Sequence, residues 1–150
     1  MSANEIVIAA VARTPMGGMQ GVLSPLTSAQ LGATAIKAAV ERAGLKPEDV
    51  QEIIMGCCLP AGQGQAPARQ AARGAGLPDA AGATTINKMC GSGLKAVMLA
   101  HDLIKAGTNS VMVAGGMESM TNAPYLLPKA RSGYRYGHAM MYDHMAQDGL

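Results

Sequence analysis

Apolar positions along this chain fall into short continuous runs, separated by stretches in which they recur every three or four residues. Ile6-Val7-Ile8-Ala9-Ala10-Val11-Ala12 is one such run, of the length expected for a strand buried on both faces. Arg13-Thr14-Pro15 and the glycines at 17, 18 and 21 then make a loop. Thr27-Ser28-Ala29-Gln30 reads as a capping box, in which the Thr27 hydroxyl and the Gln30 amide satisfy opposite orphan amides. The helix it opens runs to about Arg42-Ala43. Leu31, Thr34, Ala35, Ala38 and Ala39 form its expected inward face, and Gly44 stops it. Lys46-Pro47-Glu48-Asp49-Val50 starts a short helical turn, and Glu52-Ile53-Ile54-Met55-Gly56 is a second strand.

Ala66 to Ala75 reads as helix, Thr84 to Lys88 as a third strand and Gly91 to Ala106 as a third helix. Leu94, Val97, Met98, His101 and Ile104 build an apolar stripe on that helix, which places His101 in the core. Gly107 ends it, and Ser110-Val111-Met112-Val113-Ala114-Gly115 is a fourth strand. The order β-α-β-α-β-α-β with short links implies an α/β fold, a mostly parallel sheet covered by helices. Regular alternation stops after Gly116, except for a helical start at Tyr142 to Ala146. Residues 1–118 therefore read as an α/β core and 119–150 as the beginning of a loop domain. The chain stops at Asp148-Gly149-Leu150 without a natural closing element, as expected of a piece of something longer.

Composition sharpens this. Of 150 residues, 49% are hydrophobic and 15% charged, which fits a well-buried globular protein. Phe and Trp are absent while Met reaches 12 and Gly 19, so the core must be aliphatic, with backbones packed closely at glycine. A net charge of +2, without a basic block or an aromatic platform, gives no support to nucleic-acid binding. No apolar run is long enough for a bilayer, and the N-terminal residues lack a secretory pattern. Three cysteines, two of them adjacent at 57 and 58, do not make a disulfide framework; a reducing, cytoplasmic setting fits.

The chemistry concentrates at Thr84-Thr85-Ile86-Asn87-Lys88-Met89-Cys90-Gly91-Ser92-Gly93-Leu94. A strand ends near a cysteine, two glycines follow, and a helix begins. Cys90 then stands where open α/β sheets place their ligands, at a helix start whose amides and dipole favour an anion. A thiolate there can attack a carbonyl, and neighbouring amides can hold the oxyanion. Gly91 and Gly93 leave no Cβ in the path of an incoming thioester. A small buried cysteine would write the same pattern.

Ile86 to Val97 resembles the nucleophile motif of thiolases. Gly62 to Ala72 is similar to that family's loop and helix before the third strand, Val113 to Pro124 resembles its signature after the fourth, and Ala9 to Pro15 matches its opening strand. The likeness is strongest to the acetyl-CoA C-acetyltransferase branch. It implies that Cys90 carries an acyl group taken from a 3-oxoacyl-CoA or from acetyl-CoA, with its backbone amide in an oxyanion hole. It implies that Leu150 lines the coenzyme A channel, and that coenzyme A is a substrate rather than a resident cofactor. It also implies a homotetramer, a dimer of dimers, in which the loop after residue 119 takes part. Family members carry a second half that supplies a histidine, an asparagine and a second cysteine, none of which has a counterpart here. The isolated chain is thus expected to lack the base for its nucleophile. A ketoacyl-synthase-like condensing enzyme shares the cysteine-at-helix-start logic, and a non-catalytic half-chain that binds a partner polypeptide or coenzyme A is a further alternative.

The remaining candidates read as structural. Cys57 and Cys58 are packing residues. Glu118, among apolar neighbours, must be paired or hydrogen-bonded, with Arg13, Arg69 and Arg73 as available partners. His138, Asp143 and His144 fit no compact zinc spacing. Gly62-x-Gly64 is too short for a dinucleotide fingerprint. Met112, Met117 and Met120 fill the core.

Overall fold

The structure, a computed structural model, describes residues 5–150. Three parallel strands form its sheet: β1 (Glu52–Gly56), β2 (Gly82–Ile86) and β3 (Met112–Gly116), in the order β2-β1-β3. Register runs Glu52 against Gly82 and Met112, through to Gly56 against Ile86 and Gly116. The central position of β1 follows from its composition, since four apolar or glycine residues in a row can be buried on both faces. Ile53, Ile54 and Met55 are 0%, 3% and 2% exposed.

Helices cover both faces. Helix α1 (Ser28–Arg42) and α2 (Pro67–Gly74) pack on each other and on the side of Ile53 and Met55, in a core completed by Val50, Leu77 and Met117. Helix α3 (Ser92–Lys105) lies on the opposite face, where the missing side chain of Gly56 lets Ser92 approach. The Thr27 capping box forms as expected: the Gln30 amide donates to the Thr27 hydroxyl at 3.2 Å, and the Thr27 amide donates to Gln30 Oε1 at 2.8 Å. Gly44, at φ +69°, ends α1.

The structure corrects the sequence at several points. Residues 6–12 form no strand: they have no regular structure and are unpaired with the sheet, with Val7, Ile8 and Val11 70–75% exposed. The observed order is therefore αβαβαβ preceded by an irregular segment. The third strand covers Gly82–Ile86 rather than residues 84–88, because its register is set by β1. Helix α1 buries Ser28, Ala29, Gly32, Ala33, Ile36 and Val40 rather than the expected face; Thr34 is exposed. Close contact with Ala71 and the Met117 side chain selects the stripe containing Gly32, since a Cβ there would stand 2.7 Å from the Met117 sulfur.

Helix α3 is turned likewise. It buries Ser92, Ala96 and Ala100, whereas Leu94 is 70% and Met98 52% exposed and His101 lies at the surface beside Asp102. Small residues win the sheet-facing side because the helix rests directly on the glycines of β1 and β3. Tyr142 to Ala146 begins not as a helix but as β5 (Tyr142–Asp143), antiparallel to β4 (Tyr125–Leu126), before a helical turn at Met145–Gly149.

Candidate active site

Cys90 stands at the end of β2, on a turn that leads into α3. The turn is held from inside by Ser92, which is 3% exposed. Its hydroxyl accepts the Lys88 amide at 2.7 Å and donates to the Met89 carbonyl at 2.6 Å. Asn87 Oδ1 accepts the Met89 amide at 2.8 Å. Met89 is forced to a positive φ of 49°, a costly conformation for a residue with a side chain, in the position just before the sulfur. Ser92 is thus a strut beneath the turn rather than a helix cap, and no side chain caps α3.

Cys90 is a free, exposed thiol, which removes the alternative of a buried packing cysteine. The amides of Gly91 and Ser92 are committed to the carbonyls of Lys88 and Met89 at 3.1 and 3.0 Å; the Cys90 amide is not used by the turn. The two glycines have different surroundings. Gly91 is exposed, with only the Lys88 carbonyl near the place of a Cβ. Gly93 faces inward, and a Cβ there would lie 3.4 Å from the Gly116 amide nitrogen. Its smallness serves the contact between α3 and β3 rather than an approach path for a ligand.

Glu118 follows β3 and closes the floor of the site. Its Oε2 accepts the Cys58 amide at 2.7 Å and its Oε1 the Leu59 amide at 3.0 Å. Of the expected arginine partners, Arg73 pairs with Asp79 and Arg69 donates to the Ala81 carbonyl, whereas Arg13 lines the same hollow as Glu118. Cys57 is buried, its sulfur 3.4 Å from Glu118 Oε1. Burial, and then the neighbouring Glu118 charge, push its thiol from the ordinary 9.0 up to about 11. That fixes Cys57 as a protonated packing residue. Cys58 differs: it is half-buried, and its thiol reaches the Met89 carbonyl at 2.8 Å and approaches the Ser92 hydroxyl at 3.6 Å. Sequence reasoning classed Cys57 and Cys58 together. Their alternation beyond β1, one side chain inward and the next toward the turn, is the signal that separates them.

The C-terminal turn folds back on the same loop. His144, 5% exposed, pairs with Asp148 at 2.6 Å and receives the Ala61 amide at 3.4 Å, which ties the turn to that loop. No metal-type cluster occurs among the described residues. Gly149 sits against Leu59, and Leu150 beyond it is 82% exposed. Of the methionines, Met117 is buried while Met120 is 43% exposed, so only part of that expectation holds. A hollow of about 190 Å³ lies between Arg13, Thr14, Leu31, Gly116 and Glu118. The larger one, about 740 Å³, is an open groove along α1 and α2 that contains no cysteine.

Residues 6–150 match the family described as thiolase, N-terminal domain. The chain is 56% identical to an acetyl-CoA acetyltransferase of Cupriavidus necator over 97% of its own length and 37% of the relative's. It is 54% identical to acetyl-CoA acetyltransferase 2 of Arabidopsis thaliana, covering 97% and 36% respectively. Against the mitochondrial acetyl-CoA acetyltransferase B of Xenopus laevis it is 54% identical, covering 98% and 34%. It thus spans about a third of the length of these relatives. Helices on both faces of a parallel sheet, a cysteine turn at its edge and the match over 6–150 lead to one conclusion: this chain belongs to the thiolase family, as its N-terminal domain.

Proposed function

We propose that this chain is the nucleophile-bearing portion of a coenzyme A-dependent acyltransferase that makes or cleaves 3-oxoacyl-CoA, with acetoacetyl-CoA formed from two acetyl-CoA as its reaction. One observation carries the reading: Cys90 is an exposed thiol on a rigid turn at the end of a parallel strand, with its own amide left out of that turn. The family membership and the names of the relatives support it.

In synthesis the Cys90 sulfur attacks the carbonyl of acetyl-CoA. The new S–C bond forms as the bond to coenzyme A sulfur breaks, and coenzyme A leaves as its thiol after taking up a proton. The enolate of a second acetyl-CoA then attacks the acetyl thioester, and the Cys90 thiolate is released with acetoacetyl-CoA. The Cys90 amide stabilises the oxyanion of the tetrahedral intermediate, a contribution of roughly 2.7–4 kcal/mol for one such donor. Gly91 keeps the entrance clear, and Leu150 borders the coenzyme A channel. No resident cofactor is required.

By family resemblance, the proton acceptor for Cys90 comes from outside these residues; within them His144 is engaged by Asp148, His101 lies beside Asp102 on the outer face of α3, and His138 is exposed on the 119–150 segment. The complete enzyme takes that acceptor from a second half, and residues 119–150 begin a loop domain that joins the assembly of a homotetramer. Exposed Tyr125, Tyr136, Met140 and Met141 on that segment support an assembly role. The names of relatives include cytosolic and mitochondrial forms, and a cytoplasmic location is proposed here on the cysteine content. No helix among the described residues is long and apolar enough to cross a membrane.

The test is acetyl transfer read by mass on peptide 89–95. Alone, the chain should not turn over. Fused to the remaining length of a relative, it should carry an acetyl group on Cys90 after exposure to acetyl-CoA. Native turnover by the chain alone sinks the need for a second half, and labelling that persists in Cys90→Ser sinks the nucleophile.

A further inference from the structure

The second thiol near Cys90 has no part in the acyl-transfer scheme. Cys58 Sγ lies 2.8 Å from the Met89 carbonyl oxygen, and that oxygen belongs to the peptide whose nitrogen is the Cys90 amide. Peptide geometry sets the oxygen about 2.8 Å from the next Cα, so the Cys58 sulfur falls within about 5.6 Å of Cys90 Cα. The contact that holds it there is replaceable. The Met89 carbonyl already receives the Ser92 amide at 3.0 Å and the Ser92 hydroxyl at 2.6 Å, so a thiol is its third and weakest donor. Turning Cys58 away leaves no polar group unsatisfied.

We propose that Cys58 and Cys90 form a reversible disulfide when a hydroperoxide reaches the site, with Cys90 as the thiol oxidised first and Cys58 as the thiol that resolves it. Access assigns the order: Cys90 is exposed and Cys58 half-buried. Burial, opposed by the Ser92 hydroxyl and reinforced by the Glu118 charge, pushes the Cys58 thiol above its ordinary range, in keeping with that order. The Cys90 thiolate attacks one peroxide oxygen, the O–O bond breaks, and the sulfenic acid and an alcohol (or water) form. The Cys58 sulfur then attacks the sulfenic sulfur. The S–S bond forms, hydroxide leaves and combines with the Cys58 proton as water. In total two thiols lose two hydrogens, and one peroxide is reduced. The rest of the turn tolerates the link, because Ser92 and Asn87 hold Lys88 and Met89 without using either sulfur as an obligatory partner. A thiol reductant restores both groups.

The pair shares Cys90 with the proposed acyl transfer but does not require it. Its readout is accordingly thiol state and not turnover, so a chain that links without ever being acetylated upholds this inference while the enzymatic reading fails. The chain is treated with tert-butyl hydroperoxide, blocked with iodoacetamide and digested with trypsin. The expected product is peptide 89–95 joined to peptide 43–69, lighter than the sum of the two by two hydrogens and separated by dithiothreitol. Cys57→Ala should keep the link. Cys58→Val should lose it and accumulate sulfinic acid on Cys90 in its place. A probe that needs no variant is phenylarsine oxide, which bridges neighbouring thiols: one equivalent should bind the reduced wild-type chain and shield both Cys58 and Cys90 from iodoacetamide. Sulfinic acid at Cys90 in the wild type with no linked peptide overturns the proposal, and so does a link that survives in Cys58→Val.

Discussion

Glu52–Gly56 and residues 6–12 look alike as sequence, yet one is the centre of the sheet and the other stands outside it. Both are apolar runs of strand length. Ile53 is wholly buried, whereas Ile8 is 75% exposed. The difference is neighbours. β1 has β2 on one side and β3 on the other, each in continuous register. The 6–12 segment is met by the Arg42 guanidinium, which donates to the Val11 carbonyl at 2.8 Å, but by no strand of the sheet. Hydrophobicity makes a run eligible for burial, and only a paired backbone on each side turns it into a strand.

Substitutions can break or sharpen this contrast. The largest effect is expected at Gly56→Ala, whose Cβ would stand 2.5 Å from the Ser92 Cβ and 2.6 Å from its carbonyl carbon. Backbone must move, and the loss should be of the exceptional class, about 4 kcal/mol or more, read from urea unfolding. Ile53→Ala should cost about 2–5 kcal/mol. Ile8→Ala should stay within about 0.5 kcal/mol, and a larger loss would show that 6–12 is packed after all. Hydrogen exchange should rank the two segments the same way, with the amides of residues 53–56 slow and those of 7–11 fast. Thr27→Ala removes one arm of the observed capping box and should cost about 1 kcal/mol.

A further contrast is a pH slope. The Cys57 thiol is raised in the folded chain from 9.0 to about 11. Between those values the unfolded chain has released this proton and the folded chain has kept it. The unfolded state then binds fewer protons, so stability is complete below pH 9.0 and falls as pH rises toward 11. Urea midpoints measured from pH 8.5 to 10.5 should decline more steeply for wild type than for Cys57→Ala, and parallel curves would refute the assignment.

Much of the layer order was legible because local signals carry it. The Thr27 box, Gly44 and the Pro47 turn act through their own hydrogen bonds and φ angles, so no distant partner is needed to interpret them. The helix faces were not legible in the same way. Counting large apolar side chains put Leu94, Val97 and Met98 of α3 inside, but the sheet below is floored with Gly56 and Gly116 and accepts only Ser92, Gly93, Ala96 and Ala100. Which stripe faces inward was decided by the partner surface. Cys90 was legible as a candidate because a strand, two glycines and a helix bracket it. Cys58 was hidden, because its significance comes from the Met89 carbonyl 31 positions away.

The contact of Gly93 with Gly116 has one more consequence. A Cβ on Gly116 would sit 3.2 Å from the Gly93 Cα, so main chain rests on main chain with no side chain between them. A joint of that kind contains no rotamers that could loosen gradually on warming. The height of the sulfur above the strand ends should therefore hold steady up to the melting of the sheet itself, and then be lost in the same step.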